Sequence, residues 1–254
     1  MTPRFRMVAG PNGSGKTSLV ARLAGDYAVN FYTMLNADDV FAHVKKDRVF
    51  SAPMPIDGDR LVAYASASQY ADGEKRRFIS GEIYVEGDCV RFGSAASINS
   101  YTVALLVNFL QDECIDRRIS FSQETVFSHP SKVAALKKAR ISGFRTYFYY
   151  VATIDPAINT ARVLERYVQG GHNVPAEKIS ARYGRSLQLA VQALPYLSRA
   201  YFFDNSGRDM KYLASYSDET GLYVQTDVND FPNWFKPIVC AADNAMAAKG
   251  KSMT

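Results

Sequence analysis

The sequence predicts an α/β fold, a three-layer sandwich around a central, mostly parallel sheet. Three observations carry this expectation. Short apolar or aromatic segments with strand character alternate with helical segments, which implies parallel crossovers. Most of the strand-like segments run into a short polar turn. The first strand and first helix are separated only by the glycine-rich run Gly10-Pro11-Asn12-Gly13-Ser14-Gly15-Lys16-Thr17.

The elements follow in order. Phe5 to Ala9 reads as a short buried strand, and Ser18 to Leu23 as a helix. Tyr32 to Leu35 is a second strand, running into Asn36-Ala37-Asp38-Asp39. Gly81 to Phe92 alternates as a hairpin around Glu86-Gly87-Asp88, and Ser97 to Asp116 reads as an apolar helix. Residues 81–117 therefore look like an inserted β-hairpin plus helix. Ile119 to Ser122 is a third strand, running into Gln123-Glu124-Thr125. Lys132 to Arg140 is helical and ends at Ser142-Gly143. The aromatic run Arg145 to Val151 reads as a central strand, its rings belonging to the core. Asp155 as N-cap and Pro156 at the first helical position open a helix that stops at Gly170-Gly171. Pro175 opens another, reaching about Leu194. Tyr201 to Phe203 is a fifth strand, running into Asp204-Asn205-Ser206, and Lys249 to Thr254 reads as a frayed tail. The expected organisation is a single domain, 1–254, with an insertion 81–117, a helical lid hairpin 155–197 and a C-terminal extension 207–254.

Composition narrows the class. Hydrophobic residues make up 47% and charged residues 22%, as in ordinary soluble globular proteins, so a disordered or fibrous chain is excluded. The longest apolar run, Tyr101 to Leu110, is too short to span a bilayer. A motif beginning at Gly10 leaves no room for a signal peptide, and three cysteines without metal spacing suit a reducing cytoplasm. Net charge is +5, with 11 basic against 3 acidic residues over 131–200, so the positive charge is concentrated in one stretch.

Gly10 to Thr17 matches G-x-x-x-x-G-K-[ST] in full. Such a loop curls so that backbone N–H groups meet phosphate oxygens, and the helix after it adds its positive end. That predicts a P-loop NTPase or kinase binding ATP or GTP. Residues 10–18 form the nucleotide cradle, Lys16 reaches the β- and γ-phosphates, and Thr17 holds Mg²⁺. Asp38 and Asp39 follow the second strand, where a carboxylate can take a hydroxyl proton. The competing reading makes Asp38 or Asn36 a helix cap. Glu124 and Thr125 fall on the same rim, suited to a substrate hydroxyl or a metal-bound water, or to capping the next helix. An ordinary Walker B strand is not expected, which argues against a motor-type ATPase and for a small kinase. Arg162 and Arg166 share one helical face, and Arg182 and Arg185 sit on the next helix. A lid built from them can neutralise a transferring phosphoryl group, or else be a solvated face paired with Glu165 and Glu177. His172 belongs to the loop's packing. Asn205 lies towards an adenine edge.

Together, GPNGSGKTS, NADD, QETVFS, NTARVLERYVQGGHNVP, ISARYGRS and YFFDNS resemble the zeta toxin family, closest to its short branch of P-loop ATPases. The resemblance covers residues 1–50 and 119–206. It implies a cytoplasmic kinase using ATP and Mg²⁺. The family phosphorylates the 3′-hydroxyl of UDP-N-acetylglucosamine, a related effector phosphorylates NAD, and an antitoxin that blocks the nucleotide site silences such toxins. By motif, Asp38 resembles the catalytic base, and Glu124 and Thr125 the substrate-side acidic motif. Arg166 and Arg182 resemble the paired lid arginines, with Arg162 and Arg185 as substitutes. NADD stands where the family's turn is more acidic. The leading expectation is a kinase acting on a nucleotide-like acceptor. The alternatives are a nucleotide-binding regulatory protein without transfer chemistry, or a polynucleotide kinase. Nucleic acid and membrane are not expected partners.

Overall fold

The computed structural model describes residues 2–170, 174–225 and 227–251. Along the chain run β1 (Arg4–Ala9), α1 (Lys16–Asp26), β2 (Thr33–Asn36), α2 (Ala37–Asp47), β3 (Val49–Ser51), α3 (Gly58–Ala67) and α4 (Asp72–Ile79). Then come β4 (Ile83–Glu86), β5 (Cys89–Phe92), α5 (Ser100–Asp116), β6 (Phe121–Thr125), α6 (Ser131–Ile141), β7 (Arg145–Ala152), α7 (Pro156–Val168) and α8 (Ala176–Ala193). The chain closes with β8 (Arg199–Asp204), β9 (Lys211–Ser217), β10 (Gly221–Val224) and α9 (Lys236–Lys251). Two compact units result, one of residues 1–32 with 122–254, the other of residues 33–121.

The first unit carries strands in the order β10-β9-β8-β7-β1-β6. β1, β7 and β8 are parallel, while β9 and β10 add antiparallel strands at one edge. This is the expected α/β architecture with a mixed, mostly parallel sheet. The alternation of the strands sets the core: Phe5, Met7, Phe148, Tyr150, Ala200 and Phe202 are all fully buried. Burying each large side chain contributes about 1.5–3 kcal/mol. α6 packs on β7 and α8, and α8 packs on α9. Beyond residue 207, β9 and β10 extend the sheet, Phe235 packs against Phe202 at 5.3 Å between ring centroids, and Trp234 donates to Asp204 Oδ2 at 2.9 Å. α7 and α8 pair as the expected helical hairpin. His172 and its neighbours Gly171 and Asn173 lie outside the described residues.

The second unit holds a three-stranded antiparallel sheet, β3-β5-β4, with α2 to α5. The expected hairpin and helix are present, and they join β3, α3 and α4, which the sequence pattern did not announce. α5 begins at Ser100 rather than Ser97, because Asn99 caps it by accepting from the N–H groups of Tyr101 and Thr102, each at 2.9 Å.

Other boundaries also move. α1 begins at Lys16, inside the glycine-rich loop, and runs to Asp26. β6 begins at Phe121 and extends through Glu124 and Thr125, and β8 includes Asp204. Hydrophobicity ends earlier than the strands do, since their last residues are polar. α9 continues to Lys251, through the start of the expected tail.

Candidate functional site

The site is built on the loop between β1 and α1. Its glycines are dictated by close approach. Gly13 has φ +72°, and a Cβ there would stand 2.5 Å from the backbone oxygen of Asn159. Gly15 has φ +97°, and a Cβ would meet Asn205 Nδ2 at 2.3 Å. Either residue with a side chain would push the loop off its supports. Ser14 N–H donates to Pro11 O at 3.2 Å, closing the turn. Lys16 curls back over the loop, its Nζ donating to Pro11 O at 3.1 Å.

Two asparagines hold this loop from outside. Asn159, on α7 and fully buried, donates from Nδ2 to Asn12 O at 2.6 Å and accepts from Thr153 Oγ1. Asn205, just past β8, donates from Nδ2 to Ser14 O at 2.9 Å. Asn205 is in turn held by Arg162, whose Nη1 donates to Asn205 O at 2.7 Å while Nη2 donates to Gly207 O at 3.3 Å. Asn12 Oδ1 and Ser14 Oγ are buried without a hydrogen-bond partner, polar atoms that a bound ligand or its water would satisfy. Replacing Asn159 by alanine is expected to cost about 1–3 kcal/mol by orphaning Asn12 O. Thermal melting of the variant alongside nucleotide titration checks this, and an unchanged melting temperature would contradict it.

Thr17 Oγ1 donates to Glu124 Oε1 at 3.2 Å. A hydroxyl beside a carboxylate at the end of a neighbouring strand is a pair of hard oxygen donors, the set that Mg²⁺ prefers. Among the described residues no group of three or more His, Cys, Asp and Glu gathers for a metal, so phosphate and water oxygens would have to complete such a site. Thr125 Oγ1 accepts from Phe127 N–H at 3.2 Å, and Glu124 caps no helix, α6 starting only at Ser131. Next to the loop, Ser18, Arg22, Arg162, Asn205, Arg208 and Met210 border a cavity of about 670 Å³.

The lid arginines divide. Arg162 is committed to the carbonyls after β8. Arg166 and Arg185 are exposed and Arg182 half-buried. Among the described residues, none of the four forms an ion pair with Glu165 or Glu177. α8 itself is moored to β7: Tyr183 OH donates to Thr153 O at 2.5 Å, and Tyr150 OH lies 3.0 Å from Ser186 Oγ.

Asp38 and Asp39 lie in the second unit, in the first turn of α2. The cap there is Asn36, whose Oδ1 accepts from Asp38 N–H at 3.0 Å. The Asp38 carboxylate is thus released from capping and exposed. Burial, and then the neighbouring Asp38 charge, raise Asp39 above the ordinary carboxylate range. Sequence reasoning missed Asn159 as a support of the loop, although it stands in the quoted run NTARVLERYV. It also missed Lys132, in the first turn of α6, whose ammonium burial pushes down to about 8.

No family model matches the chain, and no curated protein matches it. Among solved structures, the native AvrRxo1-ORF1:ORF2 complex contains a chain 10% identical to this one, with a TM-score of 0.53, over 98% of this chain and 76% of that chain. The same complex with ATP gives 11% identity and a TM-score of 0.51, over 97% and 80%. A structure from the PezAT chromosomal toxin–antitoxin system of Streptococcus pneumoniae gives 12% and 0.48, over 96% and 85%. What the AvrRxo1 structures share with this chain is the fold. That likeness of fold extends over nearly the whole chain. No helix among the described residues is long and apolar enough to cross a membrane.

Proposed function

We infer that the protein is an ATP-dependent kinase that moves the γ-phosphoryl group to a hydroxyl of a nucleotide-like acceptor, such as a UDP-sugar or a dinucleotide. The observation that carries this reading is the complete P-loop, braced by Asn159 and Asn205, with the Thr17 hydroxyl on Glu124. A complex of the structural neighbour AvrRxo1-ORF1 with ATP supports the choice of nucleotide.

In this reading the backbone of residues 10–18 cradles the phosphates and Lys16 neutralises the oxygens between them. Thr17 and Glu124 would hold Mg²⁺, which supplies charge neutralisation on the phosphates when bound. The base of the nucleotide enters the cavity beside Asn205, with Arg162 fixing that wall. Asp38 takes the proton of the acceptor hydroxyl, Asp39 and Thr125 serve the acceptor side, and Arg166 and Arg182 offset charge on the transferring group, with Arg185 nearby on α8. An inhibiting protein partner belongs to the same reading, supported by the AvrRxo1-ORF1 neighbour, solved with a second chain, ORF2.

The test is incubation of the full chain with labelled ATP and a metabolite extract, followed by separation of labelled products. A labelled small molecule is expected, and Asp38→Ala should slow its formation by about 10²–10⁴-fold. ATP binding without any labelled product would favour a regulatory nucleotide-binding protein. A wild-type rate from Asp38→Ala would remove Asp38 from the mechanism.

A further inference from the structure

The parallel strands of the first unit have a second chemically distinctive edge, at their starts, away from the P-loop. Arg4 on β1 pairs in register with Arg145 on β7. The next row is Arg6, Tyr147 and Arg199, with Ser217 beyond. Register partners share a face, so four arginines and a tyrosine stand together there. Arg6 is occupied: its guanidinium lies 4.4 Å from the Tyr147 ring centroid and donates to Tyr149 OH at 2.7 Å and to Asn30 O at 2.9 Å.

Beside this row Arg140, Arg145, Arg199, Ser198, Asp218 and Glu219 border a cavity of about 100 Å³. Arg140 is satisfied by Ser198 Oγ at 2.5 Å and by an ion pair with Asp218. Arg145 and Arg199 are exposed, and Arg145 forms no ion pair among the described residues. The Arg199 side chain is hydrogen-bonded to Tyr201 and feels, more weakly, the charge of Glu219, the remaining carboxylate. Two guanidinium groups therefore face one carboxylate across a small polar hollow. The hollow has room for about three waters, which suits one tetrahedral oxyanion and is too small for a nucleoside. Planar guanidinium forks match phosphate oxygens two at a time.

The geometry points to a second, phosphoryl-binding site at this edge, in which Arg145 and Arg199 grip the phosphoryl group of a small phosphorylated molecule. It does not depend on the P-loop or on kinase activity. Titration calorimetry of inorganic phosphate into the full chain at low salt tests it, comparing wild type with Arg145→Gln/Arg199→Gln. The double variant should bind phosphate at least about tenfold more weakly, with unchanged melting temperature and unchanged nucleotide binding. Lys16→Ala, run alongside, should keep the arginine-dependent heat and so separate this site from the P-loop. Arg145→Lys/Arg199→Lys, which keeps the charge and loses the fork, should fall between. Identical isotherms for wild type and the glutamine variant overturn the proposal, as does full retention by the lysine variant. A single-stranded oligonucleotide that binds more tightly than phosphate, and loses that affinity in the glutamine variant, overturns the small-molecule ligand in favour of a nucleic-acid backbone.

Discussion

Lys16→Ala is expected to lower phosphoryl transfer by about 10²–10³-fold while leaving the fold in place. Phosphoryl transfer offers the protein little covalent chemistry, so positioning and charge neutralisation carry nearly all of the rate. Lys16 opens α1 and already reaches back across the loop to Pro11 O, so its ammonium stands over the turn that would hold the phosphates. Removing it deletes the cation and leaves the backbone cradle. The loss should therefore fall more heavily on kcat than on nucleotide affinity. Rates with labelled ATP, nucleotide titration and thermal melting together separate these effects. A variant that transfers phosphate at the wild-type rate would be incompatible with Lys16 at the centre of the reaction. A variant that no longer folds would show in melting, and Lys16→Met then serves as the uncharged replacement with similar bulk.

Gly13→Ala should do damage of a different kind. The left-handed φ of +72° costs a residue with a Cβ about 1–2 kcal/mol. The methyl carbon would also sit 2.5 Å from Asn159 O, a backbone atom that no side-chain rotation can move. Either the loop or α7 must shift, and the Asn159 bond to Asn12 O is then strained or lost. We expect a total of about 3 kcal/mol, seen as a melting temperature lower by about 6–12 °C. Nucleotide affinity should fall too, because a shifted loop no longer aims its N–H groups at the phosphates. Asn159→Gly in the same background does not remove the clash, because the obstructing atom is main chain. An alanine variant with native affinity would show that the loop can be rearranged without harm to the site.

The P-loop was readable from the sequence because its spacing is the chemistry: glycines where backbone must crowd, a lysine and a threonine at fixed offsets. Asp155 and Pro156 likewise announced α7, and the structure has Asp155 accepting from Ala157 N–H at 2.7 Å. Other features were out of reach for physical reasons. Asn36 and Asp38 are equally good caps, and only the backbone geometry at 36 decides between them. The end of β6 is polar, with Ser122 and Gln123 buried, so a reading based on hydrophobicity stopped too soon and set Glu124 outside the strand. The α4 segment carries one buried apolar residue, Phe78, too little for a periodic signal. Asn159 and Asn205 act across 147 and 191 residues, a separation at which no local pattern speaks.

Those long spans have a consequence for how the protein comes into being. Ser14 is held by Asn205, the residue after Asp204, and Asp204 is held by Trp234. During synthesis the glycine-rich loop leaves the ribosome before its braces, which follow 147 and 191 residues later. The nascent chain therefore carries an unbraced P-loop until both asparagines have followed it, and closing it requires a non-local, entropically slow step. Nucleotide capture is expected as a late event in maturation, appearing only after the segment around Trp234 has docked.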